Sequence, residues 1–71
     1  MIEFTLKSEH IDLFQLLKAT NLCGTGGEAK IMIDEGRVYV DGEVETRKRC
    51  KIRTGQTVAY CGEEIAVQSA E

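Results

Sequence analysis

The chain has 71 residues, of which 42% are hydrophobic, and a formal net charge of -3 at pH 7. This length fits one small domain with a thin core, so we expect a single domain over residues 1–71. The first ten residues, MIEFTLKSEH, lack a basic segment followed by an apolar run, and no apolar stretch is long enough to cross a bilayer. These features argue against an export signal and a membrane partner, and we expect a cytoplasmic monomer.

The charge is distributed unevenly along the chain. Three Lys and six acidic residues in positions 1–36 give -3, and six Lys and Arg against three acidic residues in positions 37–53 give +3. Positions 54–71 hold three Glu and no Lys or Arg, which gives another -3. An anionic partner is therefore expected to meet the protein at the central segment.

The first predicted elements are a strand and a helix. Hydrophobic residues alternate with polar ones at the N-terminus, at Ile2, Phe4 and Leu6. This period of two predicts a strand with one buried face. Ser8 is placed to cap a helix that ends near Asn21, with His10 in its first turn. The buried stripe of this helix is predicted to consist of three leucines, with Phe14 at its margin: Leu13, Leu16 and Leu17.

The second predicted helix has a clear start and stop. Thr25 followed by Glu28 matches a capping box, in which each side chain accepts a hydrogen bond from the other residue's backbone N–H. Gly36 supplies the left-handed residue that ends the helix. The predicted buried stripe consists of Ala29, Met32 and Ile33. Lys30 lies off this stripe, and a solvated ion pair with Asp34 is its simplest explanation.

The period then changes to two and predicts a series of strands. Val38 and Val40 precede the hairpin signal Asp41-Gly42. A two-residue loop would place apolar and acidic residues on one face, so we expect a longer, bulged turn that pairs Val40 with Val44. Turn signals at TGQ and CGEE separate two further short strands around four apolar positions: Val58, Tyr60, Ile65 and Val67. The order β-α-α-β-β-β-β predicts an α+β domain in which two helices pack on a small, mostly antiparallel sheet.

The basic segment, residues 47–53, is the main candidate for a binding site. If it is extended, Cys50 and Ile52 point inward and four cations share one face: Arg47, Arg49, Lys51 and Arg53. Such cations recur about every 6.6 Å and can meet successive phosphates, and few acidic residues that could pair with them lie nearby. The alternative is that these charges only solvate a face or protect an exposed edge strand.

A glycine cluster, GTGG at residues 24–27, opens the second helix. Free N–H groups and the helix dipole at such a turn attract anions, which makes it a candidate second phosphate contact with Lys30 one turn along. The spacing of a Walker loop is absent, and the common role of such a cluster is a tight interhelical turn.

The run from Leu13 through GTGGEAKIMIDEGRVYVDGEVETRKRCKIRTGQTV resembles the αL RNA-binding domain of small-subunit ribosomal protein four, especially its free-standing bacterial members. The resemblance implies a non-catalytic protein that binds structured RNA, with ribosomal RNA as one candidate, and a motif core at about residues 11–60. Mapped onto this chain, the implied RNA-binding residues lie at the start of the second helix and in the following basic region: Thr25, Gly26, Lys30, Arg37, Arg47, Lys48, Arg49, Lys51 and Arg53. Many relatives have Ser-Arg where this chain has Gly26-Gly27.

Other classes of function find less support in the residues. His10 is the only histidine, and no Ser or Cys has a recognisable catalytic partner, so we predict no enzyme activity. The three cysteines are widely spaced and lack the pairs of a zinc site, so we predict reduced thiols that fill space, no metal and no cofactor. A protein-binding adaptor that docks an acidic partner, anchored by Tyr39 and Tyr60, remains the alternative. We favour folded RNA over unpaired bases because aromatic residues make up only 6% of the chain.

Overall fold

The computed structural model describes residues 1–70. Two helices, α1 and α2, span Leu13–Ala19 and Gly26–Asp34. Seven strands are numbered β1 to β7 in chain order: Ile2–Leu6, Ile11–Asp12, Val38–Val40, Glu43–Val44, Lys51–Ile52, Thr57–Tyr60 and Glu63–Ser69. Neither of these helices is long and apolar enough to cross a membrane.

The strands form two sheets. Five of them make one sheet in the order β1-β7-β6-β3-β4, in which β1 runs parallel to β7 and the other neighbours are antiparallel. The short strands β2 and β5 pair antiparallel in a separate sheet, with Ile11 opposite Ile52. The predicted α+β fold with a mostly antiparallel sheet is confirmed, and β2 and β5 are absent from the predicted order.

The core lies between the two helices and one face of the large sheet. The predicted leucines of α1 and the predicted Ala29 and Ile33 of α2 are fully buried, whereas Met32 is half-buried. The sheet and β5 supply further buried side chains: Leu6, Val38, Ile52, Val58, Ile65 and Val67. Alternation along the strands directs the intervening residues to the opposite face of the large sheet, where no helix packs, and Tyr39 is 43% exposed there. The helices therefore cover only one face of this sheet.

The start of α1 differs from the prediction. The helix begins at Leu13, and the hydroxyl of Ser8 donates a hydrogen bond to the carbonyl of His10 (2.8 Å) instead of capping a helix. His10 precedes β2, so its predicted place in the first helical turn is wrong. Asp12 is the N-cap residue, but its side chain makes no capping hydrogen bond. The predicted end of α1 is confirmed, because the helix stops at Ala19, two residues before Asn21.

The ends of α2 follow the predicted signals with one change. The Thr25 hydroxyl accepts a hydrogen bond from the N–H of Glu28 (3.0 Å), and Gly36 follows the helix with φ 77°. The Glu28 carboxylate, however, accepts from the N–H of Gly24 (2.7 Å) and not from that of Thr25. The reciprocal half of the predicted capping box is therefore displaced by one residue.

The hairpin between β3 and β4 has a two-residue turn. Asp41 and Gly42 both have positive φ, 51° and 87°, and the register pairs Val40 with Glu43 and Tyr39 with Val44. The predicted longer turn is wrong because Val44 is not buried with the other valines: it is 52% exposed beside Tyr39 on the uncovered face. The Asp41 carboxylate also fixes the turn by accepting a hydrogen bond from the N–H of Thr57 (2.9 Å).

The three cysteines occupy different environments. Cys23 is buried, and burial raises the pKa of its thiol, with the Glu28 carboxylate adding to the effect. Cys50 is half-buried, and Cys61 is exposed in the turn between β6 and β7 with φ 55°. All three are free thiols, as predicted, and the predicted space-filling role holds for Cys23 and is wrong for Cys61.

Candidate nucleic-acid interface

The basic segment is bent and not extended. Lys48 and Arg49 form a turn closed by a hydrogen bond from the N–H of Cys50 to the carbonyl of Arg47 (3.1 Å), and β5 begins only at Lys51. The predicted ladder of alternating cations on one face is therefore wrong. The inward positions are nevertheless as predicted, because Ile52 is buried and Cys50 is half-buried.

The start of α1 explains why the segment bends. A helix leaves its first N–H groups without partners inside the helix. Here Leu13 donates to the carbonyl of Cys50 (2.9 Å) and Phe14 donates to the carbonyl of Lys48 (3.1 Å). Backbone carbonyls of the basic segment thus take the place of a side-chain cap. The turn is held against the first turn of α1 by the same bonds that complete the helix.

The ring of Phe14 brings two of the predicted cations together. The Lys30 ammonium lies 4.6 Å from the ring centroid, and the Arg49 guanidinium lies 6.0 Å from it. Both distances are within the range of cation–π attraction. The predicted ion pair between Lys30 and Asp34 is wrong, because the half-buried Lys30 side chain contacts the ring instead. The start of α1, the middle of α2 and the turn of the basic segment therefore meet at one aromatic side chain.

Gly26 faces this ring at the start of α2. A Cβ atom added at Gly26 would lie 3.5 Å and 3.6 Å from two ring carbons of Phe14, which is ordinary van der Waals contact. A larger side chain in the same direction would have to displace the ring. The ring and the first turn of α2 can therefore lie this close together with Gly or Ala at position 26.

Two of the predicted arginines are engaged by neighbouring carboxylates. The Arg47 guanidinium donates two hydrogen bonds to Glu45 (2.9 Å and 3.0 Å), and the Arg47 N–H donates a third (3.0 Å). These bonds lower the pKa of Glu45 to about 2. Arg37 pairs with Glu35 (2.9 Å), and both of these side chains are exposed. The expectation that few acidic partners lie near the cations of the basic segment is therefore wrong for Arg47.

The remaining cations of the basic segment are exposed and unpaired. Within residues 1–70, no acidic side chain forms an ion pair with four of them: Lys48, Arg49, Lys51 and Arg53. An open groove of about 460 Å³ is lined by Arg47, Arg49, Cys50 and Lys51. Exposed cations without acidic partners keep their charge available to a polyanion. This groove adjoins the cluster of Phe14, Gly26, Lys30 and Arg49, called the Phe14 cluster below, because Arg49 belongs to both.

The turn that opens α2 has less capacity to bind an anion than its glycines suggest. The Thr25 hydroxyl and the N–H of Gly24 are both used by Glu28, whose carboxylate lies at the helix N-terminus. A carboxylate at this position already interacts favourably with the helix dipole. Thr25 and Gly26 remain predicted RNA contacts, and the structure brings Gly26 into the Phe14 cluster. Arg37 follows the opposite end of α2.

Phe14 is the residue that the sequence prediction missed. The sequence places it at the margin of the leucine stripe, and its contacts with Lys30 and Arg49 make it part of the site. No local sequence signal joins these positions. The part of the chain that the structure describes also contains no group of three or more His, Cys, Asp or Glu residues that could hold a metal ion.

Two helices on a mixed sheet, with cations from a helix and a neighbouring turn on one surface, define a small α+β domain with a cationic face. The chain belongs to the S4 domain family, whose model matches residues 4–68. It is 52% identical over 68 residues to a protein of Escherichia coli (strain K12) named "Putative RNA-binding protein YbcJ", covering 94% of this chain and 97% of that protein. The "Uncharacterized protein YbcJ" of Shigella flexneri has the same identity and coverage.

A solved structure has the same fold. The solution structure of YbcJ from E. coli superimposes with a TM-score of 0.75 at 51% identity, covering 96% of this chain and 87% of the other. That structure is described as revealing an αL motif involved in RNA binding. The resemblance drawn from the sequence is confirmed at the level of family and fold.

Proposed function

We propose that the protein binds structured RNA through its phosphate backbone, using the Phe14 cluster and the adjoining basic segment. The observation that carries this proposal is the convergence of Lys30 and Arg49 on the Phe14 ring, next to exposed cations without acidic partners. The names of the YbcJ relatives support the same function. The proposed RNA-contacting residues remain those predicted from the sequence, with those in or next to the cluster in the leading role: Gly26, Lys30, Lys48, Arg49, Lys51 and Arg53.

We favour recognition of folded RNA by shape and backbone over stacking on unpaired bases. A stacking platform needs exposed aromatic side chains beside the cations. Phe14 is half-buried, with Lys30 and Arg49 already at its ring, and Tyr39 lies on the uncovered face of the sheet. Ribosomal RNA is included among the candidate ligands because the resemblance to a ribosomal protein suggests it. We further propose that residues 1–71 act as one monomeric, non-catalytic domain.

The acidic total charge is compatible with this function. The Debye length is about 8 Å at physiological salt, so charges on distant parts of the molecule are largely screened when the RNA is in contact. The local surface around the basic segment then determines the sign of the interaction. The acidic remainder weakens long-range attraction and so limits indiscriminate binding to nucleic acids.

The test is fluorescence anisotropy with an RNA hairpin and a DNA hairpin of the same sequence, over a salt series. Contacts from five cations, namely Lys30 and the four unpaired cations of the basic segment, would give a slope of log affinity against log salt of about -4.5. The variant Arg49→Gln/Lys51→Gln should reduce the magnitude of this slope by about 2. The matched control Lys7→Gln/Lys18→Gln has the same net charge and should leave the slope close to the parent value.

Three results would contradict the proposal: no RNA binding at low salt, equal binding of RNA and DNA, or equal losses in the two double variants. Failure of RNA binding would favour the adaptor alternative. Tyr39 and Val44 are the specific observation in its favour, because they form an exposed pair on the uncovered face, whereas Tyr60 is half-buried against the core. Under the RNA proposal, Tyr39→Ala should leave RNA affinity unchanged.

A further inference from the structure

We propose that Phe14 is a positioning residue for RNA binding, whose ring holds Lys30 and Arg49 as one phosphate-binding pair. This inference rests on the proposed function and deepens it. Phe14 itself is not placed in contact with RNA. Its role is to fix two cations from different elements at one place before the ligand arrives.

The geometry supports this role because both cations lie over the same ring. The Lys30 ammonium is 4.6 Å from the centroid and the Arg49 guanidinium is 6.0 Å from it, so their separation cannot exceed the sum of these distances. Long Lys and Arg side chains lose considerable rotamer freedom when they are fixed on a ligand. Attraction to the ring restricts that freedom in the free protein and reduces the cost at binding.

Electrostatics also favours an anion at this place. Two like charges beside the same ring repel each other, and the negative face of an aromatic ring offsets only part of this repulsion. Within residues 1–70, no carboxylate forms an ion pair with Lys30 or Arg49. A phosphodiester group supplies the missing negative charge, and its oxygens accept hydrogen bonds from ammonium and guanidinium groups.

The position of the ring is fixed from two sides. The Phe14 N–H donates to the carbonyl of Lys48 (3.1 Å), the residue directly before Arg49. On the other side the ring faces Gly26, where an added Cβ would be in contact with it. The backbone bond therefore holds Phe14 beside the turn of the basic segment, and its ring lies against the first turn of α2 at Gly26.

The test compares Phe14→Leu with the matched control Phe4→Leu. Both variants replace a half-buried Phe at the edge of the core, but no cation–π contact is formed by Phe4 within the described residues. Phe14→Leu should weaken RNA binding about threefold to tenfold, because part of the cost of ordering two long side chains then falls on the binding step. Its salt slope should stay near the parent value because both cations are still present, whereas Lys30→Gln should reduce the magnitude of the slope by about 1. Phe4→Leu should bind RNA like the parent.

Two further measurements separate positioning from simple packing. Phe14→Tyr keeps an aromatic face and should retain parent affinity. In a Lys30→Gln/Arg49→Gln background, Phe14→Leu should cause no further loss, because the ring then has no cations to position. In the free parent, the ring current of Phe14 should shift the proton resonances of the Lys30 ε-methylene upfield, and this shift should disappear in Phe14→Leu.

The inference is overturned if folded Phe14→Leu binds RNA as well as the parent. It is also overturned if Phe14→Leu causes the same loss of RNA affinity in the Lys30→Gln/Arg49→Gln protein as in the parent, because Phe14 would then act through packing alone. Either result leaves the proposed function intact, since RNA binding by the parent is measured separately. Amide spectra of each variant establish that the compared proteins share the parent fold.

Discussion

The ion pair between Glu45 and Arg47 predicts a gain of RNA affinity by mutation. In the free protein, the Arg47 guanidinium donates two hydrogen bonds to the Glu45 carboxylate, while the Arg47 side chain is 75% exposed. The two bonds use the Nε and Nη2 groups of Arg47, and the carboxylate offsets the positive charge of the guanidinium, which weakens its attraction to a phosphate. Glu45→Gln removes the negative charge while keeping a side-chain oxygen that can accept the Arg47 backbone N–H. Arg47 then becomes available to the RNA.

The magnitude follows from counterion release. One added phosphate contact should steepen the slope of log affinity against log salt by about 0.9, so between 50 and 200 mM salt the variant should lose about 3.5 times more affinity than the parent. At the low-salt end of the series, the variant should bind the RNA hairpin more tightly than the parent. The expected change is therefore a higher affinity and a steeper salt dependence in the same protein.

Anisotropy titrations of the parent and Glu45→Gln over this salt range provide the assay. Glu64→Gln is the matched control, because it removes one exposed carboxylate from the face of the sheet that the helices leave uncovered. The two variants have the same net charge, so a gain confined to Glu45→Gln identifies a local effect. Unchanged slope and affinity in folded Glu45→Gln, or an equal gain in Glu64→Gln, would refute the view that Glu45 competes with RNA for Arg47.

Three predictions concern stability and are checked by chemical denaturation. Ile52→Ala should lower the free energy of unfolding by about 2–5 kcal/mol, because Ile52 is the fully buried residue of the basic segment. A loss smaller than that caused by Ile52→Val, about 0.5–1.5 kcal/mol, would contradict the packing. Gly42→Ala should lower the free energy of unfolding by about 1–2 kcal/mol, because Gly42 has a φ of 87°. Gly27→Ala should raise it by about 0.5–1 kcal/mol, because Gly27 lies in α2, where alanine is favoured over glycine. Effects of the same sign would contradict the backbone conformations at these two glycines. The pKa of Glu45 is about 2 in the folded protein and ordinarily 4.5, so the stability that its ionised form contributes should be complete above pH 4.5 and decline as the pH falls towards 2. Glu45→Gln should remove that part of the acid-induced decline in stability. The same dependence of stability on pH in the parent and in Glu45→Gln would contradict this role of Glu45.

Local sequence patterns predicted those parts of the fold that depend on local physics. The leucine stripe of α1 follows from helical spacing, and the start of α2 follows from the hydroxyl of Thr25 and the N–H of Glu28, three residues apart. The left-handed conformation at Gly36 likewise depends on the identity of that one residue, which is glycine. In each case the atoms that decide the conformation are close together in the chain, so one sequence is sufficient to identify them.

The errors arose where distant parts of the chain meet. The basic segment bends because Leu13 and Phe14 donate to its carbonyls, and these partners are more than thirty positions away. The contact between Lys30 and the Phe14 ring also joins two helices, whereas the predicted pair with Asp34 considered only one. Charge and spacing could therefore identify the residues of the candidate site, but their arrangement depends on tertiary contacts.

The backbone hydrogen bonds between α1 and the basic segment couple local opening of the segment to exposure of the first turn of α1. If the segment leaves α1, the N–H groups of Leu13 and Phe14 lose their acceptors and become open to solvent. Their exchange with deuterium in the free protein should therefore measure how often the segment opens. An RNA that binds only the closed segment, at about a hundred times its Kd, should slow this exchange about a hundredfold. The first turn of α1 thus makes occupancy of the basic segment observable at two backbone amides, without a label on the protein or the RNA.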